Sequence, residues 1–193
     1  MKLTAALIFL TGLTLVCAQN SSSAATGSSS AADSMQRKLE RIEANARSAH
    51  PQPLTTTFTE QEVNAYVASG RVKLPRGVQS ARFSGMPGVI TSTARVDFDQ
   101  LGESSSNPML QIFSGVHNVD VTAHASGRGG VGTVHIDTVA LDGVEIPDFV
   151  LELFVKHYIE PKYPNLGIDN RFQMPDRIDS AVVGNHELRV VQK

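Results

Sequence analysis

Residues 116–141 read VHNVDVTAHASGRGGVGTVHIDTVAL and carry the clearest β-hairpin signal in the chain. Apolar and polar side chains alternate along the first half of this stretch, as they do in a strand with one buried face. Residues 131–141 predict the return strand. The segment Gly127-Arg128-Gly129-Gly130 lies between the two strands, and glycine tolerates the positive φ angles that tight hairpin turns require. The stretch therefore predicts an antiparallel strand pair.

Two further antiparallel pairs flank this hairpin. Residues 78–85 and 89–99 are joined by a Met-Pro-Gly turn, and the second of them alternates well between apolar and polar side chains. The chain closes with residues 178–183 and 187–191 around a Gly-Asn turn. Because each predicted strand pairs with a neighbour in sequence, the sheet should be antiparallel and the fold class α+β.

Two or three helices are predicted to pack on this sheet. Residues 34–49 carry only a thin apolar stripe, so we expect a helix that is loosely packed on the surface. A second helix begins at Thr59, because Thr59 and Glu62 have the spacing of a capping box. The third helix, residues 147–160, is apolar almost all the way round and is the most informative element for function.

The start of the chain predicts export. Lys2 precedes an apolar run from Leu3 to Val16, and this order is typical of a cleavable signal peptide, residues 1–18. The run is shorter than the ~20 residues that a membrane-spanning helix needs. A lipoprotein acylated at Cys17 is the first alternative, and an uncleaved anchor is the second.

The rest of the chain divides into a linker and one domain. Residues 19–33 are rich in Ser and Ala and almost uncharged, which predicts a flexible linker, and residues 34–193 form a single domain. The formal net charge of −2 provides no basic surface for nucleic acid. Cys17 is the only cysteine, so the mature domain should have neither disulfide bonds nor cysteine metal ligands.

The apolar helix 147–160 admits three interpretations. In the first, it is a core helix that the sheet covers completely. In the second, one side of the helix packs on the sheet and another side lines a ligand cavity. In the third, one face of the helix binds a protein partner. In the second interpretation, an acyl chain or similar ligand lies between the helix and the sheet. The predicted lining consists of apolar side chains from the helix and from the segment before the hairpin: Ile112, Phe113, Phe149, Val150, Leu153, Phe154 and Tyr158.

Two histidines suggest a metal site as a further alternative. If the hairpin turns around Gly129, His124 lies opposite His135, and Thr122 lies opposite Asp137. A metal-dependent enzyme would then use His124, His135 and Asp137 as its two imidazoles and one carboxylate. Polar pairs of this kind are also common on solvated faces. The sequence has no nucleophile-elbow, zincin or phosphate-loop motif, so we expect neither catalysis nor a cofactor.

Two motifs near the ends of the domain resemble those of a known group of proteins. Residues 58–66, FTEQEVNAY, are similar to an early Thr-x-x-Glu-Leu-Asn helix, and residues 174–190 are similar to a closing Leu-Pro, strand, Gly-x-Leu-x-Val hairpin. Both of the motifs that these residues resemble are found in the bacterial envelope families called YpmS-like and LmeA-like. The resemblance implies a long curved sheet wrapped on helices, an elongated apolar groove related to tubular lipid-binding domains, no cofactor and no catalytic residues. The Ser-rich tether departs from the membrane anchor of many members.

Together these features predict an exported binding module of the cell envelope, in the periplasm or outside the cell, that holds a lipid or another apolar ligand. Peripheral membrane association is left open. The alternative is a structural or protein-interaction domain without a small ligand, which predicts an exposed apolar patch instead. An open apolar cavity beside Phe154 is the feature that distinguishes these two hypotheses.

Overall fold

The computed structural model describes residues 26–100, 113–161 and 166–193. Within these ranges the chain forms three α-helices, a 3₁₀ turn over Phe98–Gln100, a one-turn π-helix that continues α3 over Val155–Ile159, and nine strands. In chain order the elements are α1 (Thr26–Arg47), β1 (Leu54–Thr59), α2 (Glu60–Ala68), β2 (Val78–Met86), β3 (Val89–Asp97), β4 (Val116–Arg128), β5 (Val131–Leu141), β6 (Val144–Glu145), α3 (Asp148–Phe154), β7 (Asp169–Gln173), β8 (Ile178–Val183) and β9 (Glu187–Gln192). The predicted signal peptide, residues 1–18 with Cys17, lies outside the described residues.

The strands of the described ranges form one curved antiparallel sheet, which confirms the predicted α+β class. The strand order is β1-β9-β8-β4-β3-β2, and β5 pairs with β4, β6 and β7. Strand β4 pairs with β3 as far as His124, and its last residues, at Ser126 and Gly127, pair with β8. This change of partner joins the β2–β5 meander and the β8, β9 and β1 strands into a single surface.

The central hairpin keeps most of the predicted register. Its turn has only two residues, both glycines with positive φ. His124 lies opposite His135, as predicted. A bulge then shifts the pairing, and Thr122 lies opposite Thr138. The predicted pairing of Thr122 with Asp137 is therefore wrong, because one extra residue of β5 is accommodated at that point.

Helix α1 differs from the prediction in both its extent and its packing. It begins at Thr26, so the segment predicted as a linker over residues 19–33 is helical from residue 26 onward. Met35 and Ile42 are only 2% and 3% exposed, so the helix is well packed rather than loose. The thin apolar stripe suffices because strands from both ends of the domain cover it. This α1 core consists of Met35, Ile42, Phe58, Tyr66, Ile178 and Val190.

A half-buried carboxylate network joins α1 to α2. Glu62 and Thr59 form the predicted capping box, with Thr59 N donating to Glu62 Oε2 at 2.8 Å. The same carboxylate accepts hydrogen bonds from Lys38 Nζ at 2.6 Å and from Ser34 Oγ at 2.5 Å. Burial raises the pKa of Glu62, but the bonds from Lys38, Ser34 and Thr59 outweigh it and hold the pKa below its ordinary value.

Helix α3 covers the other end of the sheet. The predicted helix 147–160 is α-helical only through Phe154, and an i→i−5 bond from Glu160 N to Val155 O at 2.9 Å marks the π-turn that follows. The α3 core consists of Val96, Phe98, Phe113, Val139, Leu141, Ile146, Val150, Leu151 and Tyr158. Among the described residues, no helix combines the length and the apolar character needed to cross a membrane.

Candidate functional site

An apolar cavity of about 650 Å³ lies on the helix-covered face of the sheet. It borders both cores: Phe58 and Val190 come from the α1 core, and Phe98 and Leu141 come from the α3 core. Between the two cores, the central strands line the cavity with apolar side chains that are only partly buried: Val119, Val121, Val134 and Ile136. These side chains therefore border open space where a filled interior would have placed other protein atoms.

Small residues in the middle of the sheet explain why this space is not filled. Ala123, Ala125 and Ala181 line the cavity at positions where larger apolar side chains would occupy it. Gly132 pairs with Phe172 across β5 and β7, and a Cβ on Gly132 would lie 2.6 Å from the Phe172 ring. The missing side chain thus lets the ring of Phe172 lie against the sheet and form part of the cavity wall.

Four aromatic rings form the wall at the α3 end. The centroid of Phe113 lies 5.4 Å from that of Phe98 and 4.4 Å from that of Phe154, and Phe154 lies 5.0 Å from Tyr158. All four rings line the cavity. Since Phe154 is only half-buried, this aromatic cluster presents incompletely covered ring surface, which is well suited to contact with an apolar guest.

Three of the predicted lining residues do border the cavity: Phe113, Phe154 and Tyr158. The open apolar cavity beside Phe154 is therefore present. Ile112 lies outside the described residues. The sheet supplies most of the remaining lining, and the prediction did not name it. The sequence did contain the information needed to name these residues, because the alternation of residues 116–141 places Val119 and Val121 on one face of the strand.

Three other predicted lining residues are placed differently. Val150 is buried in the α3 core and Leu153 packs against that core, and neither borders the cavity. Phe149 is 54% exposed. Successive residues of a helix are turned by about 100°, so Phe149 points away from the sheet when Val150 and Leu151 face it. Composition identified the apolar helix, but it did not give the rotation of the helix about its axis.

One end of the cavity is polar, and hydrogen bonds connect its side chains. Glu60 Oε2 accepts from Ser84 Oγ at 2.9 Å and from Gly85 N at 3.1 Å, and it lies 2.7 Å from His186 Nδ1. The hydrogen bond with His186 is the main reason that the pKa of Glu60 lies below its ordinary value. Glu187 accepts from Arg189 at 3.1 Å. The charged side chains at this end are thus already paired with each other.

No protein-family model, curated protein or solved structure matches this chain. The residues around the cavity are therefore the basis for assigning a function.

The residues predicted as metal ligands lie on the opposite face of the sheet. His124 Nδ1 lies 2.8 Å from both carboxylate oxygens of Asp137, and His135 Nδ1 lies 2.6 Å from Asp169 Oδ1. The bond to Asp169 raises the pKa of His135. The structure thus brings His124, His135 and Asp137 into one neighbourhood, but as separate histidine–carboxylate pairs. In the described part of the chain, no group of three or more His, Cys, Asp or Glu residues could hold a metal ion.

Proposed function

We propose that this chain is a binding module that holds a lipid or another apolar ligand in the cavity between the α1 core and the α3 core. The observation that carries the proposal is the size and lining of that cavity. Its volume of about 650 Å³ falls within the range of ~300 to 1,000 Å³ that is typical of small-molecule sites. Its wall is apolar along the sheet and aromatic at α3.

The energetics of the cavity lining favour the binding of an apolar ligand. Apolar side chains that face empty space have no partner atoms there, so they lose dispersion contacts that a filled interior would provide. An alkyl chain between Val121 and Phe154 would supply those contacts and would at the same time be removed from water. Its transfer is favourable by ~0.8 kcal/mol for each buried CH₂ group.

The cellular setting is part of the same proposal. The predicted signal peptide favours export to the periplasm or the exterior. The resemblance to YpmS-like and LmeA-like envelope proteins favours a lipid as the ligand, and the curved sheet with helices on one face is the architecture that this resemblance implies. Fractionation of cells that express the full chain with a carboxy-terminal tag tests the setting: recovery of the uncleaved chain in the cytoplasm would contradict export.

Filling the cavity tests the binding function. We expect Val121→Trp to place an indole in the space beside the central strands and to reduce binding of the apolar fluorescent probe N-phenyl-1-naphthylamine at least ~10-fold. Thr122→Trp is the matched control, because Thr122 is the next residue along β4 and does not line the cavity. Thermal unfolding of both variants shows whether each still folds.

Two outcomes would contradict the proposal. One is a folded Val121→Trp protein that binds the probe as well as the unsubstituted chain does. The other is the absence of probe binding to the unsubstituted chain, together with native mass spectra that show no co-purified apolar molecule after gentle extraction.

A further inference from the structure

The charged side chains that line the cavity lie at two ends and differ in their pairing. The polar end contains Glu60, His186 and Glu187, and each carboxylate there already has a cationic or hydrogen-bonding partner. Arg76 belongs to the other end and is the only Lys or Arg among the described residues that line the cavity. The two ends therefore offer different chemistry to a ligand.

The position of Arg76 follows from the turn before β2. Its neighbour Gly77 accepts a hydrogen bond from Asp97 N at 2.7 Å, which holds this turn beside the end of β3 and next to Phe98 of the aromatic cluster. The polar end lies at Ser84, near the far end of β2. Strand geometry separates Val78 from Ser84 by roughly 20 Å. The cavity thus runs along β2 from Arg76 to the Glu60 end.

Arg76 has no hydrogen bond or ion pair within residues 26–100, 113–161 and 166–193, and its side chain is exposed at the rim of the cavity. The two carboxylates at the end of β3, beside this turn, have other partners. Asp97 accepts from Gln100 Nε2 at 2.6 Å, and Asp99 accepts from Gly115 N at 2.9 Å. The guanidinium is therefore available to a group from outside the described chain.

We infer that the ligand is an amphiphile with an anionic headgroup, and that Arg76 binds this headgroup while the apolar chain runs along β2 toward Glu60. This inference rests on the proposed function. A guanidinium binds a carboxylate or a phosphate through two parallel hydrogen bonds, and it does so without first being removed from water at the rim. At the Glu60 end, His186 and Arg189 already face carboxylates, so Arg76 gives an anionic headgroup its one preferred end.

Displacement of N-phenyl-1-naphthylamine from the full chain tests this orientation. Laurate, dodecyl phosphate and dodecanol share one alkyl chain and differ in the charge of the headgroup. We expect Arg76→Gln to lower the affinity for laurate and for dodecyl phosphate about tenfold. The affinity for dodecanol should stay within about twofold of its original value. Arg82→Gln is the matched control, because it removes the same charge from an exposed position of β2 that does not line the cavity.

The outcomes distinguish failure of this inference from failure of the proposed function. If Arg76→Gln lowers the affinity for all three ligands equally, or for none of them, while the probe still binds, the inference of an anionic headgroup is wrong. The proposed apolar binding function would then still stand. Equal losses in Arg76→Gln and Arg82→Gln would show an effect of net charge alone and would also overturn the inference of an anionic headgroup. If the unsubstituted chain binds neither the probe nor any of the three ligands, both proposals fail.

Discussion

The α1 core and the α3 core differ in how completely their side chains are covered. The most completely buried large side chains all belong to the α1 half: Phe58, Met35, Gln192 and Val190. Members of the α3 core keep 5–8% of their surface exposed. Even the amide of Gln192 is satisfied, since its Nε2 donates to Ile42 O at 2.9 Å. The comparison indicates that the α1 core is packed more tightly than the α3 core, although both border the cavity.

Truncation of one aromatic residue in each half should show this difference most strongly. We expect Phe58→Ala to lower the free energy of unfolding by about 4 kcal/mol, because Phe58 is 0% exposed and its neighbours are held by the sheet. Phe154→Ala should cost less than half as much, because Phe154 is only half-buried and therefore loses fewer contacts. Urea denaturation of both variants measures the two losses, and equal losses would refute the distinction between the halves.

Removal of the cation between α1 and α2 should have the next largest effect. Lys38→Met leaves the Glu62 carboxylate without its ionic partner and Thr57 O without its 2.7 Å donor, and we expect a loss of about 2 kcal/mol. Arg47→Met is the matched control on the same helix, because its ion pair with Glu43 is exposed and should contribute less than about 0.5 kcal/mol. Similar losses in the two variants would mean that the pair of Lys38 and Glu62 stabilises the fold no more than an exposed ion pair does.

A smaller effect is expected within the cavity wall. Gly132→Ala places a Cβ against the Phe172 ring and should destabilise the fold by about 1 to 2 kcal/mol. The double variant Gly132→Ala, Phe172→Leu should recover part of that loss, since the smaller side chain can move aside. Thermal unfolding of the single and double variants tests this coupling, and strict additivity would show that the ring does not depend on Gly132.

The smallest effect concerns pH at the α3 end. His117 Nδ1 lies 2.7 Å from Asp142 Oδ2, and its Nε2 lies 2.7 Å from Ser114 O, so both ring nitrogens face acceptors. The Asp142 carboxylate is the main reason that the pKa of His117 is raised above 6.5. Because the pKa of His117 is higher in the folded state than in the unfolded state, protonated His117 stabilises the fold. This stabilisation is fully present when the pH is below the unfolded-state pKa, and it is lost as the pH rises through the folded-state pKa.

The corresponding experiment compares the unfolding free energy of the unsubstituted chain and of His117→Gln at acidic and at alkaline pH. The difference between the two proteins should be larger on the acidic side. If both proteins respond to pH identically, His117 does not contribute through its charge.

The sequence was most informative where the structure depends on neighbours in the chain. The hairpin turn, the pairing of His124 with His135 and the capping box at Thr59 could all be predicted, because a few adjacent residues specify each of them. Strand β7 was missed, and α1 was predicted to be loose. Both depend on partners far along the chain, and an apolar stripe does not reveal which distant strand will cover it.

The same distinction applies to the candidate site. The apolar composition of residues 147–160 predicted a cavity beside Phe154, and strand alternation could have identified Val121. The polar end could not be predicted, because Glu60 and His186 are separated by 126 positions in the sequence. Their approach depends on the pairing of β1 with β9. The rotation of α3, which turns Phe149 outward, likewise depends on how the whole helix packs on the sheet.

The pairing of β1 with β9 also has a consequence for the order in which the chain folds. Leu54–Thr59 pairs with Glu187–Gln192, so the α1 half needs both the earliest and the latest parts of the domain. Each of the strands β2, β3 and β4 pairs along most of its length with the next strand in the chain, and contacts of this local kind form fastest. We therefore expect the meander that borders the cavity to assemble first during synthesis, and the more tightly packed half to assemble only when the last strand has emerged.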